Sequence, residues 1–256
     1  MSNITLFENS NHANYLLEPF GGEEMIPANQ HLIIHEGRGI ILDPGGHKVY
    51  SHVLSEVSSL LKGGQLEMIF LSHQDPDIVA ALNGWLMTTD AVAYSPEIWT
   101  RFIPHFGLDR FMKHRLKGIP DEGGILNLHG CELIAVPAHF LHSVGNFHLF
   151  DPVSRILYTG DLGASVGEDY RVVSDFDRHV PLMDGFHRRY MTSQRALKAW
   201  AAIARKLPVE TIAPQHGAMF QGRDMVERFF AWCETLSCGV DLMDEAYPLP
   251  TQRLNP

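Results

Sequence analysis

The chain has 256 residues, 45% of them hydrophobic and 20% charged, the profile of a packed globule large enough to need no disulfide staple. Thirty acidic against twenty basic residues give a formal charge of −10, a field that repels phosphate backbones and argues against nucleic acid as a partner. No apolar run approaches the roughly 20 residues of a membrane span, the first ten residues lack a secretory leader pattern, and three cysteines without a C-x-x-C pair fit a reducing cytoplasm.

In chain order, the first third is strand-rich. Residues 31–35 and 39–43 are apolar runs joined by a turn containing Gly37, as in a hairpin. Asp43-Pro-Gly-Gly46 punctuates, and Val49, Val53, Leu54, Val57, Leu60 and Leu61 then recur at helical spacing. Residues 66–71 form a buried strand candidate that ends in Ser72-His73. A helix is expected to start at Asp75-Pro76, with the proline near the first position where its missing N–H is harmless, and to run to about Met87. A strand at 91–94 follows. The stretch 101–117 shows no pattern. Strands are expected at 125–128, 132–136, 146–150 and 155–158. One long helix fits 189–207, where Leu197, Trp200, Ala204 and Leu207 share a face. A strand at 210–213 leads into Pro214-Gln-His-Gly217, and a last helix covers about 224–236. No repeat or linker interrupts this order, so residues 1–256 read as a single domain. Strands come first in runs and then mixed with helices, which fits an α/β class with two sheets flanked by helices better than one parallel sheet.

Fifteen histidines are an excess, and imidazole is the commonest transition-metal ligand. Most are expected to be bystanders on the surface or in the core, His31, His35, His148 and His187 among them. His187-Arg-Arg189 reads as a basic, solvated helix start. Cys233 and Cys238 read as packing residues on the last helix. The informative polar residues sit at the ends of expected strands. His73, Asp75 and Asp77 alternate in Ser72-His-Gln-Asp-Pro-Asp77. His142 follows the strand at 132–136, Asp161 follows 155–158, and His216 follows 210–213. Strand-end loops on a rigid scaffold are where sites are usually built. Taken singly, each has a plainer reading: Asp75 or Asp77 as a helix N-cap, Asp161 as a turn residue, the histidines as buried and satisfied.

Together, in this order, they resemble the metallo-β-lactamase superfamily, and its di-iron branch in particular: the oxygen-binding di-iron proteins and the β-lactamase-like core of flavodiiron proteins. His73-Gln-Asp-Pro-Asp77 matches the branch's H-x-[ED]-x-D motif. Leu141-His-Ser-Val-Gly-Asn-Phe147, Gly160-Asp161 and Pro214-Gln-His-Gly217 match its later segments. The resemblance implies an αββα sandwich with two mixed sheets, metallo-β-lactamase-like. It implies that His73, Asp75 and His142 bind a first metal, Asp77 and His216 a second, with Asp161 bridging. His139, three residues before His142, could orient a ligand. Two departures stand out. Ile78 occupies the position where relatives often carry a further histidine, which implies a more open second position. The chain also ends at Pro256 without the flavin-mononucleotide (flavodoxin) domain of flavodiiron proteins.

The ligand set points to iron on its own chemistry. Neutral imidazoles suit zinc, whereas anionic oxygen donors favour harder ions. Three carboxylates and three histidines carry −3, so two ferrous ions leave a formal charge of about +1, in the carboxylate-rich style of di-iron proteins. The resemblance implies two irons (Fe2+/Fe3+) with a bridging oxo, hydroxo or peroxo group, and manganese or zinc as substitutes. Three functions follow from it: a dioxygen sensor or carrier; an O2 or nitric oxide reductase fed by a separate electron donor; and a zinc hydrolase using metal-activated hydroxide, against which Asp75 and Ile78 count. A signalling protein is the expected partner of a sensor, and a homodimer is open.

Overall fold

The computed structural model describes residues 3–17, 25–243 and 249–253. A meander begins it, with β1 (Ile4–Glu8), β2 (His12–Leu16), β3 (His31–His35) and β4 (Arg38–Leu42) paired antiparallel in turn. The β3–β4 hairpin closes over Glu36 and Gly37, both at positive φ, the two-residue turn whose twist matches that of its strands. Helix α1 (Tyr50–Leu61) then carries the chain back to β5 (Gln65–Phe70), which lies parallel to β4. Strands β6 (Val92–Pro96) and β7 (Leu116–Ile119) extend the sheet in parallel.

The second sheet contains β8 (Gly124–Leu128), β9 (Cys131–Pro137), β10 (Phe147–Asp151), β11 (Ile156–Tyr158), β12 (Thr211–Ala213) and β13 (Phe220–Gln221). Its pairs are antiparallel apart from β11–β12, so both sheets are mixed. Alternation along the strands builds three apolar layers. Ile33, Ile40, Met68 and Phe70 meet Leu133, Phe147, Leu149 and Ile156 between the sheets. Their neighbours Leu32, Ile41 and Ile69 face outward under α1 and α3 (Leu82–Thr88). On the far side α4 (Phe176–Tyr190), α5 (Gln194–Ala204) and α6 (Arg223–Thr235) cover the second sheet around Trp200, Phe220 and Phe229. This is the expected αββα sandwich.

Several elements differ from the sequence expectation. The helix expected from Asp75 to Met87 is two short ones, α2 (Pro76–Val79) and α3, broken at Ala80 and Ala81. The long helix at 189–207 is instead α5 alone, beginning where the Ser193 side chain caps the Ala196 N–H. Before it stands α4, which the sequence reading missed because Pro181 and Gly185 weaken its helical propensity. It forms because Phe176, His179, Met183 and His187 recur on one buried face. The stretch 101–117 holds two 3-10 turns, at Ile103–Phe106 and Lys113–Arg115, and the start of β7. Cys238 lies beyond the end of α6, buried like Cys233.

Candidate metal centre

Each site residue sits past a strand end, in a loop pinned mostly by bonds from other segments of the chain. After β4, Asp43 is buried, and its Oδ1 accepts the Ser72 N–H at 2.8 Å. Ser72 Oγ lies 2.9 Å from His73 Nδ1, which occupies that nitrogen and turns His73 Nε2 inward. Burial raises the Asp43 carboxyl to about 6, although the Ser72 N–H pulls the other way. In the sequence Asp43 reads as turn punctuation, and the one signal of its role is a lone aspartate ending an apolar strand.

Asp75 occupies the N-cap position of α2, yet its side chain makes no capping bond. Its Oδ1 accepts from Gln74, while Oδ2 faces His142 Nε2 at 3.4 Å and His73 Nε2 at 3.7 Å. The plain capping reading therefore fails for Asp75. His142 sits in the loop after β9. Ser143 donates to Gln74 at 2.6 Å, Trp99 donates to the Gly145 carbonyl at 2.8 Å, and the Asn146 amide holds the Leu141 carbonyl. Asp161 follows β11 in a turn where the Thr159 hydroxyl donates to the Leu162 carbonyl at 2.6 Å and the Gly163 N–H donates to His187 Nε2 at 2.9 Å. His187 is thus buried and bonded, not solvated with Arg188 and Arg189, and it closes the C-terminal end of α4 rather than opening a helix.

His216 follows β12. Its Nδ1 lies 2.8 Å from the Pro27 carbonyl, which can only accept, so Nδ1 carries a proton and Nε2 is the nitrogen turned toward the centre. Asn29 donates to the Pro214 and Gly217 carbonyls on either side. Gly217 has φ +82°, and a Cβ there would come within 2.7 Å of the Ser165 carbonyl oxygen, so the loop admits glycine alone.

These loops bring all six predicted residues together. His73, Asp75, His142 and Asp161 each offer a ligand atom within 4.8 Å of the others. His216 Nε2 lies 3.5 Å from Asp77 Oδ2 and 3.6 Å from Asp161 Oδ1. Asp161 belongs to both groups: its Oδ2 is 3.1 Å from His142 Nε2, and its Oδ1 is 3.9 Å from His73 Nε2. His73 Nε2, His142 Nε2 and Asp161 Oδ1 are buried with no hydrogen-bond partner. Native structures rarely leave such atoms unsatisfied unless a ligand or ion takes them.

Electrostatics point the same way. Burial lowers His142 and His216, but the carboxylates outweigh it: Asp161 and Asp75 push His142 up to about 10, and Asp77 and Asp161 push His216 up to about 9. Burial raises Asp75 and Asp161, yet the facing imidazoles hold both below the usual carboxylate range. Three clustered carboxylates thus demand positive charge at this spot. The donor set fits a pair of cations with a preference for oxygen. Above it opens a cavity of about 790 Å³ whose walls include Ile26, Val166, Leu182, Phe186 and Tyr190.

His139 and Ile78 both lie outside the group of six. His139 Nε2 donates to the Asp121 carbonyl at 2.8 Å and its ring packs on Phe147, so none of its described contacts reaches the six. Ile78 is fully buried in the apolar layer with Leu82 and Trp85.

Comparison with known proteins places these features in a lineage. The family model described as "ODP family beta lactamase" matches residues 26–217. A structure of the peroxy diiron species of chemotaxis sensor ODP is 37% identical with a TM-score of 0.85, and the match covers 94% of this chain and 98% of that one. The apo state of chemotaxis sensor ODP from T. denticola is 38% identical with a TM-score of 0.83, covering 94% and 97%. A mutant flavo di-iron protein from Thermotoga maritima shares the fold at 16% identity, with a TM-score of 0.76 over 91% of this chain and 60% of that one. No curated protein sequence matches significantly.

Proposed function

The chain belongs to the ODP β-lactamase family, and from that membership we propose that it is a non-haem di-iron protein that binds dioxygen as a sensor or carrier. The observation that carries this reading is one buried carboxylate, Asp161, that faces both groups of ligand-competent side chains, with its own Oδ1 and the Nε2 atoms of His73 and His142 left without a hydrogen-bond partner. His73, Asp75 and His142 would hold the first iron, Asp77 and His216 the second, and Asp161 both. A di-iron pair, when bound, supplies the reversible affinity for dioxygen that no side chain has.

The chain's own residues do the rest. Three carboxylates neutralise most of the charge of two ferrous ions, which lets them sit in a largely buried site. Ser72 and the Pro27 carbonyl fix the rings of His73 and His216, so both present Nε2 to the centre. Ile78 packs into the core, so the second position draws only on Asp77, His216 and the shared Asp161, which leaves room there for a gas molecule. The largely apolar cavity above it gives a small apolar solute a path to that position.

Among the described residues no helix is long and apolar enough to cross a membrane. A cytoplasmic single domain that signals to a separate protein completes the reading. Manganese or zinc would occupy the site when iron is scarce, and nitric oxide would compete for the gas position. A zinc hydrolase is disfavoured, since Asp75 supplies an anionic donor where an imidazole would suit zinc.

The test is reconstitution with Fe2+ under anaerobic conditions, metal analysis, and visible spectra before and after adding O2. Two irons per chain and an O2-dependent absorption change are expected. Hydrolysis of esters or lactones by the zinc-loaded protein, with an O2-silent iron form, would overturn the proposal.

A further inference from the structure

A second group of metal-competent side chains lies at the other end of the sandwich. His12 opens β2 and stands opposite His35, the last residue of β3, which in turn pairs with Arg38 at the start of β4. β4 runs parallel to β5, whose far end carries His73. In the other sheet Cys131 opens β9, whose far end leads to His142, and Asp151 closes the antiparallel β10. The cluster is therefore one strand length, about 15–20 Å, from the first centre.

A ring nitrogen of His12, a ring nitrogen of His35 and the Cys131 sulfur lie within 4.8 Å of one another. His12 Nε2 is 2.8 Å from Asp151 Oδ2, and a carboxylate accepts, so the proton of His12 sits on Nε2. Its other nitrogen, Nδ1, is left with a lone pair and faces His35 Nδ1 at 3.2 Å. Asp151 is itself held by Asn14 at 2.7 Å and Ser154 at 2.6 Å. A carboxylate that fixes one ring nitrogen so that the other can bind is the usual support of a metal-ligating histidine. His12, Cys131 and Asp151 are buried, whereas His35 is partly exposed and gives an ion access from solvent.

We propose that His12, His35 and Cys131 form a second, mononuclear metal site, selective for a borderline ion of the zinc class. Two imidazole nitrogens on one tetrahedral zinc are about 3.3 Å apart, and a thiolate sulfur is about 3.6 Å from each. The observed 3.2 Å between the two Nδ1 atoms already matches. The sulfur, within 4.8 Å of a ring nitrogen of each histidine, has to close in by about 1 Å. A thiolate with two imidazoles excludes magnesium and calcium, and it differs from the nitrogen and oxygen donors of the first centre. Burial pushes the Cys131 thiol up to about 12, so the ion displaces a proton to solvent as the metal–sulfur bond forms. The fourth position is left to solvent.

Cobalt(II) is the probe, because sulfur ligation gives it an intense near-ultraviolet charge-transfer band that nitrogen and oxygen ligands do not. Iron-loaded protein titrated anaerobically with Co2+ should gain this band with an end point at one equivalent per chain, and equimolar Zn2+ should remove it. Cys131→Ser should abolish the band, and Asp151→Asn should weaken zinc binding about 10- to 100-fold. Asp161→Ala, which disrupts the first centre, should leave the band intact, so the two proposals fail separately. The absence of a sulfur band in the folded protein would overturn the second site, and so would a band that survives Cys131→Ser. In the first case the His12–His35 approach is a hydrogen bond alone.

Discussion

His187 offers a sharp test of how the fold holds its shared carboxylate. The imidazole is fully buried and makes two bonds: Nδ1–H donates to the Met183 carbonyl at 2.7 Å, and Nε2 accepts the Gly163 N–H at 2.9 Å. Burial pushes its pKa down to about 4, so the ring is neutral at pH 7. In His187→Leu the buried Gly163 N–H loses its acceptor, at a cost of about 1–3 kcal/mol. For a domain of this size each kcal/mol lowers Tm by roughly 2–4 °C. Gly163 stands two residues after Asp161, so the same loss should loosen the carboxylate common to both metal groups and lower iron occupancy at both positions. His187→Gln retains a donor and an acceptor and should recover part of each effect. Thermal melts of metal-free and iron-loaded protein, with iron analysis after dialysis, measure this. The native ring is neutral, so the difference between wild type and His187→Leu should be flat from pH 7 to 9. A His187→Leu variant with wild-type Tm and two retained irons would refute the reasoning.

Ligand variants separate the two metal positions. Asp161→Ala should lose both irons, while His216→Ala should empty mainly the second; full metal content in either variant contradicts the assignment. Protonation gives opposite signs at the two ends of the pH scale. Burial pushes His31 and His187 down to about 4 and His148 to about 3. Below about pH 6.5 the unfolded chain takes up protons that the folded one refuses, so stability should fall with acid by about 1.4 kcal/mol per pH unit per residue. In the metal-free protein His142 and His216 are raised to about 10 and about 9. Their contribution is complete below about pH 6.5 and is lost as pH rises through those values. Metal displaces both protons, so the alkaline decline should vanish on loading iron. Tm against pH for both forms checks this, and a metal-free Tm that stays flat from pH 7 to 10 would contradict it.

Much of the site was legible because ligand chemistry is local. His73, Asp75 and Asp77 share five residues, and the other three candidates each follow an apolar strand, so type and position marked them and the family resemblance of their order assigned them as ligands. What supports them was not legible. Asp43 and His187 act on Ser72 and Gly163 from 29 and 24 residues away, and a partner at that distance leaves no spacing to read. His35 read as a bystander until the pairing of β2 with β3 set His12 against it, and Cys131 arrives from the other sheet.

From the sequence alone came the α/β class, the strand-end positions of six candidate ligands and a donor set suited to iron, because periodicity and side-chain chemistry are properties of short segments. The tertiary structure alone decided that α4 forms despite its proline and glycine, that Asp75 faces two imidazoles instead of capping a helix, and that a cysteine and two histidines meet 15–20 Å or so from the first centre. Each of those outcomes depends on which distant surfaces bury one another, and burial is a property of the packed chain rather than of any segment within it.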